Sequence, residues 1–176
     1  LVAMFASYTA LDLAGRIRSL RGSRKRLMWL LGGAVAMGMG IWSMHFIGML
    51  AFRMPIQLGY DPRITACSML IAIVISGFAL YVVTRDELGW TRLLVGGVLM
   101  GLGVAAMHYT GMAALRMYPS IVYSPGLFWA SIGIAIAASW AALWISFRLR
   151  DGEQSYVLAK RCAAGFVMGL AIAGMH

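Results

Sequence analysis

The amino-acid sequence predicts an all-α fold, a polytopic transmembrane helical bundle built from repeated two-helix hairpins. Three observations carry this reading. Apolar residues make up 61% of the 176-residue chain and charged residues only 12%, whereas a soluble domain has about 45–50% and about 25%. The apolar residues gather into six stretches, about 1–15, 27–52, 64–84, 92–115, 125–147 and 161–176. The loops between them alternate between strongly basic and nearly uncharged.

Most of the stretches reach the roughly 20 residues that a helix needs to cross a hydrocarbon core about 30 Å thick. The first has fourteen residues before Gly15 and the last stops at His176, so both ends read as truncated. A signal peptide is not expected, because the basic cluster follows the first apolar run. The first, third and fifth loops hold twelve of the fifteen basic residues: Arg16, Arg18, Arg21, Arg24, Lys25, Arg26, Arg85, Arg92, Arg148, Arg150, Lys160 and Arg161. The other two hold Arg53, Arg63 and Arg116, and also all four prolines, Pro55, Pro62, Pro119 and Pro125. Basic loops face the cytoplasm, so the even-numbered stretches run from inside to outside. The formal charge of +9 is then a topological signal, and no nucleic-acid partner is expected; the surroundings are a lipid bilayer.

The chain repeats itself. Gly33, Met37, Gly38, Gly40, Met44, His45, Gly48, Met49, Arg53 and Met54 recur 63 residues later as Gly96, Met100, Gly101, Gly103, Met107, His108, Gly111, Met112, Arg116 and Met117. A third copy runs from Met168 to Met175 and His176 at an offset of 68. The odd stretches share Ala10-Leu11 with Arg16, Ala79-Leu80 with Arg85, and Ala142-Leu143 with Arg148. The repeats therefore span approximately 1–55, 64–119 and 125–176 within a single membrane domain, 1–176. All three keep one orientation, unlike an inverted-repeat transporter.

The three histidines each follow a methionine: Met44-His45, Met107-His108 and Met175-His176. At 1.5 Å per residue His45 lies about 27 Å above Leu27 and His108 about 24 Å above Arg92, so the imidazoles share one level near the outer end. The positions seven and eleven before each, Gly38 and Ala34, Gly101 and Gly97, Gly169 and Gly165, are small, as at faces where membrane helices approach closely. The histidines are expected to turn into the bundle, toward each other. Met49 and Met112 follow four residues on, along the same face. Imidazole with thioether, and no carboxylate nearby, is a donor set for copper, Cu(I) above all; zinc and calcium call for other ligands. Bis-histidine haem is the weaker cofactor candidate and has no separate signature. The plainer alternative is that the histidines only hydrogen-bond between helices.

Other residues offer less. Cys67 and Cys162 start their stretches on opposite sides of the membrane, too far apart for a disulfide. Asp12 and Arg16 have the spacing of a helical ion pair. Tyr8, Tyr109 and Thr110 are candidate hydrogen-bonding groups, and Tyr109 and Tyr118 also suit an interfacial aromatic belt. No nucleophile–base pair, phosphate-cradling loop or carboxylate pair is found, so no catalytic residues are assigned.

At Met107-His108-Tyr109-Thr110, followed by Gly111-Met112, the chain resembles the MHYT family of bacterial integral-membrane sensor domains. The likeness extends to Ser7-Tyr8-Thr9-Ala10-Leu11-Asp12 and covers essentially the whole chain. The resemblance implies a copper site near the periplasmic face of the cytoplasmic (inner) membrane, sensing oxygen, carbon monoxide or nitric oxide. By position the ligands would be Met44 and His45, Met107 and His108, Met175 and His176. It also implies a seventh helix and C-terminal cytoplasmic modules that make or degrade cyclic di-GMP, both outside these residues. A second copy, as a homodimer, is a further candidate partner. The first motif departs at Phe46 and Ile47, so the tyrosine is not required in every copy. The expected function is a copper-dependent sensor of a gas or of redox state, its rivals being a copper carrier or channel and a structural anchor.

Overall fold

The computed structural model describes residues 9, 13, 15–17, 23–51, 59–85, 89–118 and 123–149. Four helices dominate: α1 (Ser23–Ala51), α2 (Pro62–Val83), α3 (Trp90–Ala113) and α4 (Pro125–Leu149). All four are long and apolar enough to cross a membrane, and the chain is a multi-pass membrane protein. They correspond to the second to fifth apolar stretches. The first stretch is described only at Thr9, Leu13 and 15–17, all helical; the sixth lies outside the described residues.

Local chemistry sets the helix ends. Asp61 caps α2, its Oδ1 accepting from the backbone N–H groups of Arg63 and Ile64 at 3.0 and 3.3 Å, and Pro62 stands where no N–H is needed. α1 begins earlier than the apolar pattern implied: Arg24, Lys25 and Arg26 form its first turn and not a loop. Arg26 reaches back to donate to the Thr84 carbonyl at the end of α2, at 3.5 Å. The many glycines of α1 and α3 would weaken a helix in water, but an unsatisfied backbone group in lipid costs several kcal/mol, and the helices persist.

The interior inverts the pattern of a soluble protein. Ala34, Ala72, Ala105, Ala135, Ser68, Ser76 and Ser139 are buried, while Leu70, Val74, Trp129 and Trp144 point outward. Small residues inside let backbones meet where lipid gives no hydrophobic drive to helix association. A cluster of larger side chains, Val82, Val83 and Leu143 with Phe78, Leu93 and Met100 against it, closes the basic end.

Sequence neighbours pack: α1 on α2, α2 on α3, α3 on α4. The 63-residue repeat is present in the packing itself. A Cβ placed on Gly38 would stand 2.5 Å from the Ile73 Cα, and one on Gly101 2.5 Å from the Ile136 Cα; both partners are shifted by the same 63 positions. Gly97 makes room for the Trp140 ring, whose Nε1–H donates to the Leu94 carbonyl at 3.0 Å. The small-residue stripes of α1 and α3 are faces of close packing, and the helices they pack on are α2 and α4. Small residues announce a close approach without naming the partner.

At the histidine end a two-stranded sheet, unforeseen in the sequence, joins the loops. β1 (Gly59–Tyr60) pairs antiparallel with β2 (Leu115–Arg116), Gly59 opposite Arg116 and Tyr60 opposite Leu115. The Asp61 N–H donates to the Ala114 carbonyl at 2.8 Å, and Arg116 pairs with Asp61 at 2.6 Å. That guanidinium, with the two capping amides, holds the Asp61 carboxyl below the usual carboxylate range.

Overpacking a filled interior costs about 1–3 kcal/mol. Gly101→Val is therefore expected to lower the unfolding free energy in mixed micelles by about 3 kcal/mol. Gly133→Val, on the same bundle but with nothing within 4 Å, should stay within about 0.5 kcal/mol.

Candidate metal centre

The site lies where α1 and α3 approach each other beneath the small sheet. α1 supplies Met44, His45 and Phe46, and α3 supplies Met107, His108 and Tyr109. His45 is 5% exposed, Phe46 9% and Met107 4%; Met44 and His108 are half-buried. The rings of His45 and His108 meet edge-on, with centroids 5.0 Å apart and planes at 69°. The two described histidines thus converge, at the level that helical rise gives them.

A glycine makes this approach feasible. A Cβ on Gly111 would fall 2.6 Å from His45 Nε2 and 3.0 Å from its Cδ2. The imidazole lies in the space a side chain would take, one turn beyond His108 on α3. Gly48 has the same place in the first copy and Gly111 in the second, so the sequence carried the signal, but its meaning required the helix crossing.

The surroundings are neutral. Asp61, the carboxylate nearest in the fold among the described residues, is engaged by Arg116 in the loops above. Among the described residues no group of three or more histidine, cysteine or carboxylate side chains gathers. His176 and Met175, expected to complete the set, lie outside the described residues, as do Tyr8, Asp12 and Cys162. Two imidazoles flanked by thioethers suit a soft or borderline ion. With metal–nitrogen bonds of about 2 Å and a tetrahedral angle, two imidazoles on one ion have centroids about 5 Å apart, so the spacing fits one ion.

The flanking methionines differ in placement. Met107 is buried, and Met44 and Met49 are half-buried. Met112 lines a cavity of about 380 Å³ with Tyr109, Met117, Tyr123 and Phe128. Tyr109 stands between this cavity and the histidines, its ring edge-on to His108 at 5.0 Å. Its hydroxyl bonds to Ser131 Oγ on α4 at 2.5 Å. In the first copy the equivalent serine, Ser68, receives the Trp42 Nε1–H at 3.1 Å. Cys67 is exposed on α2 and takes no part.

A family model described as the bacterial signalling protein N-terminal repeat, MHYT, matches residues 38–96 and 101–159. The two matches begin 63 residues apart, the period of the glycine contacts. The chain is 60% identical over its whole length to the bifunctional diguanylate cyclase/cyclic di-GMP phosphodiesterase MucR of Pseudomonas aeruginosa, of which it covers 25%. It is 41% identical over its whole length to the cyclic di-GMP phosphodiesterase NbdA of the same organism, covering 22% of it. It is 40% identical to the signaling protein YkoW of Bacillus subtilis, again over the whole chain and 22% of that protein. The chain spans about a quarter of the length of these curated relatives. No solved structure matches it.

If Gly111 is the seat of His45, Gly111→Ala should lower stability in micelles by about 1–3 kcal/mol. Adding His45→Ala should then recover most of that loss, because the ring is what the new methyl group meets. Additive losses would place the clash elsewhere.

Proposed function

The chain belongs to the MHYT family, bacterial signalling-protein N-terminal repeats, and from that premise we propose that it is a membrane sensor domain that binds copper through its Met-His motifs. The observation that carries this reading is the imidazole pair, 5.0 Å apart, with His45 seated over Gly111. His45 and His108 would hold the ion together with His176, and Met44, Met107 and Met175 are the adjacent thioethers; Met49 and Met112 lie one turn on. Bound copper supplies a redox-active centre that takes a diatomic ligand such as oxygen, carbon monoxide or nitric oxide. The chain's own residues do the rest. Gly111 fixes the His45 ring, and the apolar cavity on the far side of Tyr109 gives an uncharged molecule room one side chain away from His108. A haem held by two histidines finds less support, because 5.0 Å between the rings leaves no space for a porphyrin between them.

Two features support the wider assignment. The relatives are named for making and degrading cyclic di-GMP, so the output we propose is control of such an enzyme joined at the cytoplasmic side. The basic loops support a site at the opposite, periplasmic side of a bacterial inner membrane. A copper carrier fits less well, since a carrier needs ligands along the whole depth. Below the histidines the buried residues include Ala34, Ala72, Ser76, Ala135 and Ser139, and methionines such as Met37 and Met100 are half-buried and scattered.

Metal analysis of the purified full-length protein tests this directly. Copper is expected to co-purify or load in a fixed ratio, and His45→Ala and His108→Ala should each weaken its binding at least roughly a hundredfold. Equal copper content in the wild type and both variants would leave the structural-anchor reading in its place.

A further inference from the structure

The residues around Ser131 tie the histidine level to α4. Ser131 Oγ donates its single proton to the Phe128 carbonyl at 2.8 Å, so toward Tyr109 it offers only lone pairs. The Tyr109 hydroxyl is therefore the donor of the 2.5 Å bond across to α4. The same ring stands edge-on to His108 at 5.0 Å. It also packs on Phe128 at 4.7 Å and on Tyr123 at 5.6 Å, the first turn of α4 and the loop that leads into it. The His108 ring has little freedom to turn without displacing Tyr109, which is held to α4 at two points, Ser131 and Phe128, and to the loop before it at a third, Tyr123.

The first copy is built differently. Ser68 makes the same internal bond, to the Thr65 carbonyl at 2.7 Å, but its partner is Trp42, a turn before His45. The residue after His45 is Phe46, which carries no hydroxyl and packs on Trp42 and Tyr60. Among the described residues, only the second copy lets one side chain touch a histidine ring and hydrogen-bond the next helix. α4 is then gripped again near the basic end, where Trp140 lies over Gly97 and donates to the Leu94 carbonyl.

We propose that Tyr109 is a positioning residue that couples the His108 ring to α4, so that a displacement at the histidines reaches the basic end of the bundle as a shift of α4 against α3. The proposal rests on the sensor reading for its stimulus, and its geometry is independent of which metal is bound. Helix shifts of this kind are small translations between packed elements.

Spin labels on Thr91→Cys and Ala141→Cys, both exposed on α3 and α4, report the distance between the helices toward the basic end in the full-length protein in lipid, with other cysteines replaced. His108→Ala is expected to move that distance by about 1–2 Å. Tyr109→Phe keeps the ring and removes the hydrogen bond; in that background the His108→Ala shift should vanish, and the two effects should not add. Ser131→Ala should reproduce Tyr109→Phe, while Trp42→Phe should leave the shift intact. A His108→Ala shift that persists in full beside Tyr109→Phe, or no shift at all, overturns the coupling. Loss of the shift with Trp42→Phe overturns it too, since the first copy would then be the route. Added Cu(I) separates the two readings: coupling without copper binding sinks the metal and keeps Tyr109, whereas binding with coupling that ignores Tyr109 does the reverse.

Discussion

Gly38 and Gly101 let helix backbones touch, and most of the architecture follows from that contact. Lipid tails are as apolar as leucine, so helices in a bilayer gain nothing from hiding apolar surface from one another; they associate where their surfaces fit closely and bring dipoles together. Ile73 and Ile136 lie against these glycines at the same 2.5 Å from the absent Cβ, and each contact fixes one outer hairpin, α1 with α2 and α3 with α4. With both hairpins set alike and α2 packed on α3, the histidine ends of α1 and α3 come together. Gly111 then repeats the device at the site itself, with an imidazole in place of a backbone.

The polar interior follows the same economy. Two serines bond within their own helix first, Ser68 to the Thr65 carbonyl and Ser131 to that of Phe128, and each accepts one further bond from the neighbouring helix. Trp42 and Tyr109 provide it from positions that the repeat does not equate. The two copies thus share their backbone packing and differ in the side chains that reach across. That difference sets Tyr109, whose ring meets His108, in a hydrogen bond to α4, whereas the bond to α2 in the first copy comes from Trp42, a turn before His45.

Much of this is legible in the sequence. Bilayer thickness dictates span length, so apolar stretches located α1 to α4 closely, and helical rise put His45 and His108 at one height. What escaped was the identity of neighbours. A glycine at positions 38 or 101 signals proximity, and nothing in its spacing distinguishes Ile73 from another histidine helix. The paired strands at 59–60 and 115–116 are too short to leave any periodicity. Arg24 to Arg26 read as loop because charge was taken to end the span, whereas the helix carries on past the apolar region. The Tyr109–Ser131 bond depends on two residues 22 apart whose meeting only the α3–α4 crossing decides. Met112, placed with the histidines by its spacing, lines the neighbouring aromatic cavity, since the site's centre lies between helices and not along one face of α3.

The site depends on the meeting of two rings, whatever ion or ligand they serve. Through-space correlation between ring-labelled histidines, measured by solid-state NMR on the protein in lipid bilayers, examines that meeting without reference to metal. A cross-peak between two imidazoles is predicted, absent from both the His45→Ala and the His108→Ala protein. Its absence from the wild type, with both rings otherwise well resolved, would contradict the structure at its centre.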